Sequence, residues 1–139
     1  MKKLKYLSLL VAITALLVLM LFVYEGDLSG SGTARFDVSP DSEYIVMRVV
    51  IDSEPYYYQM LMTPEKEILF VKKTSLESPI TNNATWVGEE EQDPLGEHVR
   101  VAYENVIELP PSAFQRAYAW LFVNLNGFDI DNLDMKPID

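Results

Sequence analysis

Apolar positions change their rhythm along the chain. Residues 7–24 form an unbroken apolar run in which only Ser8 and Thr14 are polar. With Leu4–Tyr6 it reaches the roughly 20 residues that an α-helix needs to cross about 30 Å of hydrocarbon. The run predicts a membrane-spanning helix over 4–24, with Leu7, Leu10, Leu16, Leu19, Phe22 and Tyr24 meeting lipid. A cleaved signal peptide is the competing reading. Its apolar core is usually 7–15 residues with a small-residue cleavage site close behind. Here the run is longer, Tyr24-Glu25-Gly26-Asp27 offers no such site, and Gly32-Thr33-Ala34 lies far downstream. An uncleaved anchor is therefore expected.

After Tyr24 the rhythm shortens to two. Residues 33–38, 43–52, 56–63, 67–73, 84–88 and 97–104 read as strands, separated by turn residues such as Ser39-Pro40-Asp41-Ser42 and Pro64-Glu65-Lys66. In the second of these, Ile45, Met47, Val49 and Ile51 line one face. The other face, Tyr44, Val46, Arg48 and Val50, is only partly polar, as expected of a central strand. Ser112-Ala113-Phe114-Gln115 then matches a capping box. Phe114, Ala117, Tyr118, Leu121 and Phe122 follow at helical spacing, and Asn124–Gly127 supplies a stop signal. The tail from Phe128 is read as one short strand over 128–130 and otherwise loose. Strands followed by one helix predict an α+β domain, with a mostly antiparallel β-sheet covered by the C-terminal helix. Three parts result: a Lys-rich start and anchor (1–24), a flexible tether (25–33) and a domain (34–139). The tether, EGDLSGSGT, has a random-coil reach of about 15–18 Å.

Val38–Val46 (VSPDSEYIV) resembles the strand entry of TolB-like propeller blades. Blades repeat and this segment occurs once, so the resemblance implies neither a propeller nor any functional residue.

Charge orients the anchor. Lys2, Lys3 and Lys5 precede the run, and all 21 acidic residues follow it. Under the positive-inside rule the start is cytoplasmic and the domain extracytoplasmic. The Lys-rich start and small size suit a bacterial envelope, so the expected location is the inner membrane with a periplasmic domain. Eight bases against 21 acids leave the chain after Tyr24 with 13 excess negative charges. Such a domain repels nucleic-acid phosphates and anionic lipid surfaces, and no nucleic-acid partner is expected. The absence of Cys excludes disulfides, thiolate metal sites and Cys nucleophiles.

Candidate chemistry is sparse. His98 is the only His, with no Cys or second His to join it. Asp129, Asp131, Asn132 and Asp134 are oxygen-rich but lack the Gly and Glu positions of an EF-hand loop. No G-x-S-x-G occurs, and no phosphate-cradling Gly loop does either, since the Gly residues at 26, 30 and 32 sit in the tether. No enzyme activity, cofactor, metal or small-molecule substrate is expected. Two groups suit protein binding. Glu89, Glu90, Glu91, Asp93 and Glu97 form an acid-only loop between two strands, a field that steers basic partners. Tyr56, Tyr57 and Tyr58 form the densest aromatic group, and Tyr is enriched at binding hot spots. The sequence points to a membrane-anchored acidic binding protein for a basic protein, an immunity protein against a basic toxin being the concrete form. The alternative is a structural or accessory subunit of an envelope membrane complex.

Overall fold

The computed structural model describes residues 1–75, 84–88, 98–103 and 105–138. Helix α1, Lys2–Val23, is long and apolar enough to cross a membrane. Thr14 keeps its hydroxyl satisfied inside this apolar stretch by donating to the Leu10 carbonyl at 2.8 Å. Leu7, Leu10, Leu16, Leu19, Phe22 and Tyr24 are all exposed, and among the described residues the helix meets the rest of the protein through its last turn, where Val23 is buried.

Among the described residues, seven strands follow before the second helix: β1 (Gly32–Val38), β2 (Ile45–Ile51), β3 (Tyr56–Met62), β4 (Ile68–Ser75), β5 (Thr85–Gly88), β6 (His98–Tyr103) and β7 (Asn105–Glu108). Then come α2 (Ala113–Asn126), a 3-10 turn at Ile130–Asn132 and β8 (Leu133–Pro137). One sheet has the order β4-β3-β2-β1-β8 and a second the order β5-β6-β7. All pairs are antiparallel except β1 with β8. The fold is α+β, as the strand-then-helix order predicts.

The partly polar second face of β2 now has its reason. Met47, Val49 and Ile51 face α2 in a core with Tyr58, Met60, Ala119 and Phe122, whereas Val46 and Leu61 face the smaller sheet with Val101 and Ile107. The larger sheet is thus the middle of three layers, buried on both sides. The Trp86 indole on β5 donates to the Asp37 carboxylate on β1 at 2.9 Å, joining the two sheets.

The turn into β2 is built by its side chains. Ser42 N–H donates to the Ser39 carbonyl, Tyr44 N–H to the Ser39 hydroxyl, and Glu43 N–H to the Asp41 carboxylate. Ser42 sits at φ 62°, the left-handed region where glycine is the easy occupant.

α2 begins on the capping box read from the sequence. Gln115 N–H donates to Ser112 Oγ at 3.1 Å and Ser112 N–H to Gln115 Oε1 at 2.9 Å. Gly127 ends it at φ 65°. The face differs from the expected one. Ala119, Phe122 and Asn126 are buried, Tyr118 and Leu121 half-buried, and Phe114 and Ala117 exposed. Periodicity alone assigns apolar residues to the inside, but Phe114 and Trp120 fall on the outer side of the helix.

Two other expectations are corrected. The tail holds no strand over 128–130. Phe128 is buried, and β8 returns beside β1 in parallel, with Gly32 opposite Leu133. A Cβ at Gly32 would lie 2.1 Å from the Val50 carbonyl oxygen, so β1 and β2 approach there only without a side chain. Residues 25–33 are bonded to the domain rather than free. Leu28 is buried in the main core and its N–H donates to the Asn126 carbonyl at 2.7 Å. The Ser29 carbonyl accepts from Asn132 Nδ2, and the Ser31 carbonyl from Asp52 N–H. Gly and Ser content is a weak guide here, because one Leu among them docks.

Candidate functional site

Polar bonds converge at one corner, where α1 meets the domain, and of the sequence-predicted residues Tyr56 and Tyr58 lie there. Its centre is Asn126, buried in the last turn of α2. Asn126 Nδ2 donates to the Val23 carbonyl at 3.1 Å and to the Phe122 carbonyl at 2.9 Å, and Asn126 Oδ1 accepts from Glu25 N–H at 2.6 Å. One side chain therefore spans the residue that ends α1 and the second residue beyond it. A buried amide is stable only when its donors and acceptors are met, and helix exits leave such backbone groups free.

Beside this joint, Lys73 of β4 donates to Glu25 Oε2 at 2.9 Å. The same ammonium stands 3.8 Å from the centroid of the Tyr56 ring, within cation–π range. The bond to Glu25 holds the Lys73 ammonium above its ordinary pKa. Tyr58 lies beneath, its ring centroid 5.3 Å from that of Phe122. Its hydroxyl is buried with no hydrogen-bond partner among the described residues. Burial, with smaller contributions from the charges of Glu25 and Glu54, pushes the Tyr58 phenol well up. Tyr118 is raised too, first by burial and then by Glu25. Both phenols stay protonated at neutral pH and are poor acids or nucleophiles. The chemistry of the corner is that of a latch, in which an ion pair, a ring contact and a three-bond amide fix α1 to the domain.

The tyrosine triplet is divided by strand alternation. Tyr57 and Tyr58 are buried on opposite faces of the sheet, and Arg48 lies 5.8 Å above the Tyr57 ring. Only Tyr56, 38% exposed, reaches the surface. Tyr57 and Tyr58 serve packing rather than display. Glu89, Glu90, Glu91, Asp93 and Glu97 lie outside the described residues, between β5 and β6. His98 opens β6.

The acidic tail residues are separated by task. The Asp129 carboxylate accepts from Asp131 N–H and caps the 3-10 turn, Asp131 accepts from Lys66 Nζ at 2.6 Å, and Asp134 pairs with Lys136 at 3.4 Å. Among the described residues no three His, Asp or Glu side chains are grouped to hold a metal ion.

Sequence reasoning missed Glu25, Lys73 and Asn126 as a unit. Asn126 carried a signal: it follows Ala119 and Phe122 at helical spacing, so a polar residue stands on the buried face. Glu25 and Lys73 carried none, being 48 residues apart.

No protein-family model matches the chain, and neither a curated protein nor a solved structure does.

Proposed function

We propose that the protein is a single-pass, membrane-anchored binding protein. α1 spans the cytoplasmic membrane with Lys2, Lys3 and Lys5 inside, and the acidic domain faces the periplasm or extracytoplasmic space to capture a basic protein. An immunity protein that neutralises a basic toxin is the concrete form. The observation that carries the reading is the partition of charge around α1: three Lys before it, and 13 excess negative charges after it. The first orients a helix in a bilayer. The second gives the domain a one-sign field that speeds encounters with cations. The acid loop of Glu89, Glu90, Glu91, Asp93 and Glu97 deepens that field, with Tyr56 the one exposed tyrosine of its triplet. The reading gives the domain no catalytic chemistry and no small-molecule substrate.

A crosslinked pull-down of the intact protein from its own membranes supplies the partner. Changing Glu89, Glu90 and Glu91 together to Gln then slows association about tenfold at low salt, with a smaller effect at high salt, since electrostatic steering acts on the on-rate. Unchanged association, with a higher melting temperature, makes the loop a self-repelling turn and removes it from the interface.

The latch supports a second reading, an accessory subunit of an envelope complex whose helix makes its own contacts. A domain fixed to its helix through Asn126 and Lys73 can couple to neighbours of α1 in a way a loose tether cannot. Replacing residues 4–22 with an unrelated apolar helix, and keeping Val23–Asp139, separates the two. Binding survives in the first reading and fails in the second.

A further inference from the structure

We propose that the outer face of α2 is a second membrane contact, lying in the interfacial layer of the bilayer that α1 crosses. The proposal rests on the reading of α1 as a membrane anchor. Its first support is what α2 displays. Phe114 is 74% and Trp120 66% exposed, with exposed Ala113, Ala117 and Asn124 on the same side, the Asn124 amide donating back to the Trp120 carbonyl at 2.8 Å, while Ala119, Phe122 and Asn126 fill the core side. A helix that borders only water carries polar residues on that side. Trp instead favours the boundary of hydrocarbon and headgroup, where its ring is buried and its N–H stays wet.

Charge is the second support. From Leu109 to Phe128 there is no Asp or Glu, and Arg116, exposed on α2, is the only charged side chain. The rest of the chain after Tyr24 holds all 21 acids. The domain as a whole repels anionic headgroups, and α2 is the element that does not. A basic protein has no carboxylate to meet on this face, so lipid is the occupant that suits it.

Placement is the third. Asn126 ties the last turn of α2 to Val23 and Glu25, the point where the chain leaves α1. At 1.5 Å per residue, Trp120 lies about 9 Å and Phe114 about 18 Å along the helix from that point. The exposed aromatics are thus carried within one short helix of the membrane exit.

Trp120 is its own probe, because Trp86 is the only other Trp. The full chain with Trp86→Phe is reconstituted into vesicles of zwitterionic lipid with a minor anionic fraction, and Trp emission is compared with and without lipids brominated in the upper chain. Trp120 is expected to emit at shorter wavelength than in water and to lose about half its intensity to the brominated lipid, the behaviour of an interfacial indole. Trp120→Phe in the otherwise native chain, which keeps the Trp86–Asp37 bond, is expected to abolish most of that quenching. Water-like, unquenched emission from a chain that floats with the vesicles overturns the proposal and leaves the anchor standing. Blue-shifted but unquenched emission that varies with protein density also overturns it, because a second copy then covers the face. A chain that does not float with vesicles overturns both.

Discussion

Asn126 shows how much one amide can hold. Replacing it with Ala leaves the Glu25 N–H and the Val23 carbonyl without their partner where α1 joins the domain. A buried polar group left unpaired costs about 1–3 kcal/mol. Asn126→Ala is therefore expected to lower unfolding stability by that amount and to speed hydrogen exchange at the Glu25 amide, read by denaturant titration and by NMR. Slow exchange at Glu25 in the variant would show that the joint does not depend on Asn126. Ser42 works in the opposite sense. It holds φ 62° with an exposed side chain, and an L-residue in this region costs roughly 1–2 kcal/mol. Part of that is offset by the greater backbone freedom of glycine in the unfolded chain. Ser42→Gly is expected to raise stability by up to about 1 kcal/mol, since the strain is relieved and the turn bonds come from Ser39 and Asp41. A loss of stability would mean that the Ser42 side chain holds the turn.

At the scale of elements, α2 separates capping from packing. Ser112→Ala removes the side-chain acceptor of the capping box and is expected to cost about 1 kcal/mol. Phe122→Ala empties a fully buried position against Tyr58 and is expected to cost about 3–5 kcal/mol. Thermal melts of the two variants should differ clearly, and equal small shifts would mean that α2 is not docked on the sheet. What the sequence made legible follows the same line between local and distant. The apolar run of α1, the strand alternation, the Ser112–Gln115 box and the Gly127 stop are local signals, and α1, β1 to β6 and α2 stand within two residues of where they put them, whereas β7 is an element the alternation did not reveal. The parallel pairing of β8 with β1, the docking of Leu28 and the second sheet behind β2 join residues far apart, and alternation within one segment carries no record of its partner. The apolar reverse face at Val46 and Leu61 was the trace of that second sheet. Phe114 was misassigned because helical periodicity sorts apolar from polar without saying which apolar side meets protein.

For the whole molecule, three bonded charges give stability a dependence on pH. Lys73 and Lys66 are raised by their bonds to Glu25 and Asp131. Their contribution is complete below the ordinary lysine value of 10.5 and is lost as pH rises through the raised values. Asp27 is lowered by its bonds from Ser29, so its contribution is present above 3.8 and is lost as pH falls through the lowered value. These groups leave a plateau between, with an alkaline fall to which Lys73 contributes. Lys73→Met is expected to flatten part of that fall in a melting-temperature profile while leaving the acid limb unchanged. An unaltered alkaline limb would show that the Glu25 pair adds nothing to the fold. The site was less legible than the fold at this scale. Of the binding residues read from the sequence, Tyr57 and Tyr58 are interior, and the corner that ties α1 to the domain is made by residues whose meeting only the folded chain brings about.

The Asn126 joint also sets an order in time. The amide and its Val23 partner are 103 residues apart, so at about 5–20 residues per second the ribosome makes one roughly 5–20 s after the other. Through that interval the Val23 carbonyl and the Glu25 N–H are without the amide that bonds them in the folded chain. The corner that fixes α1 to the domain therefore closes only after α2 has been made, late in the synthesis of the chain.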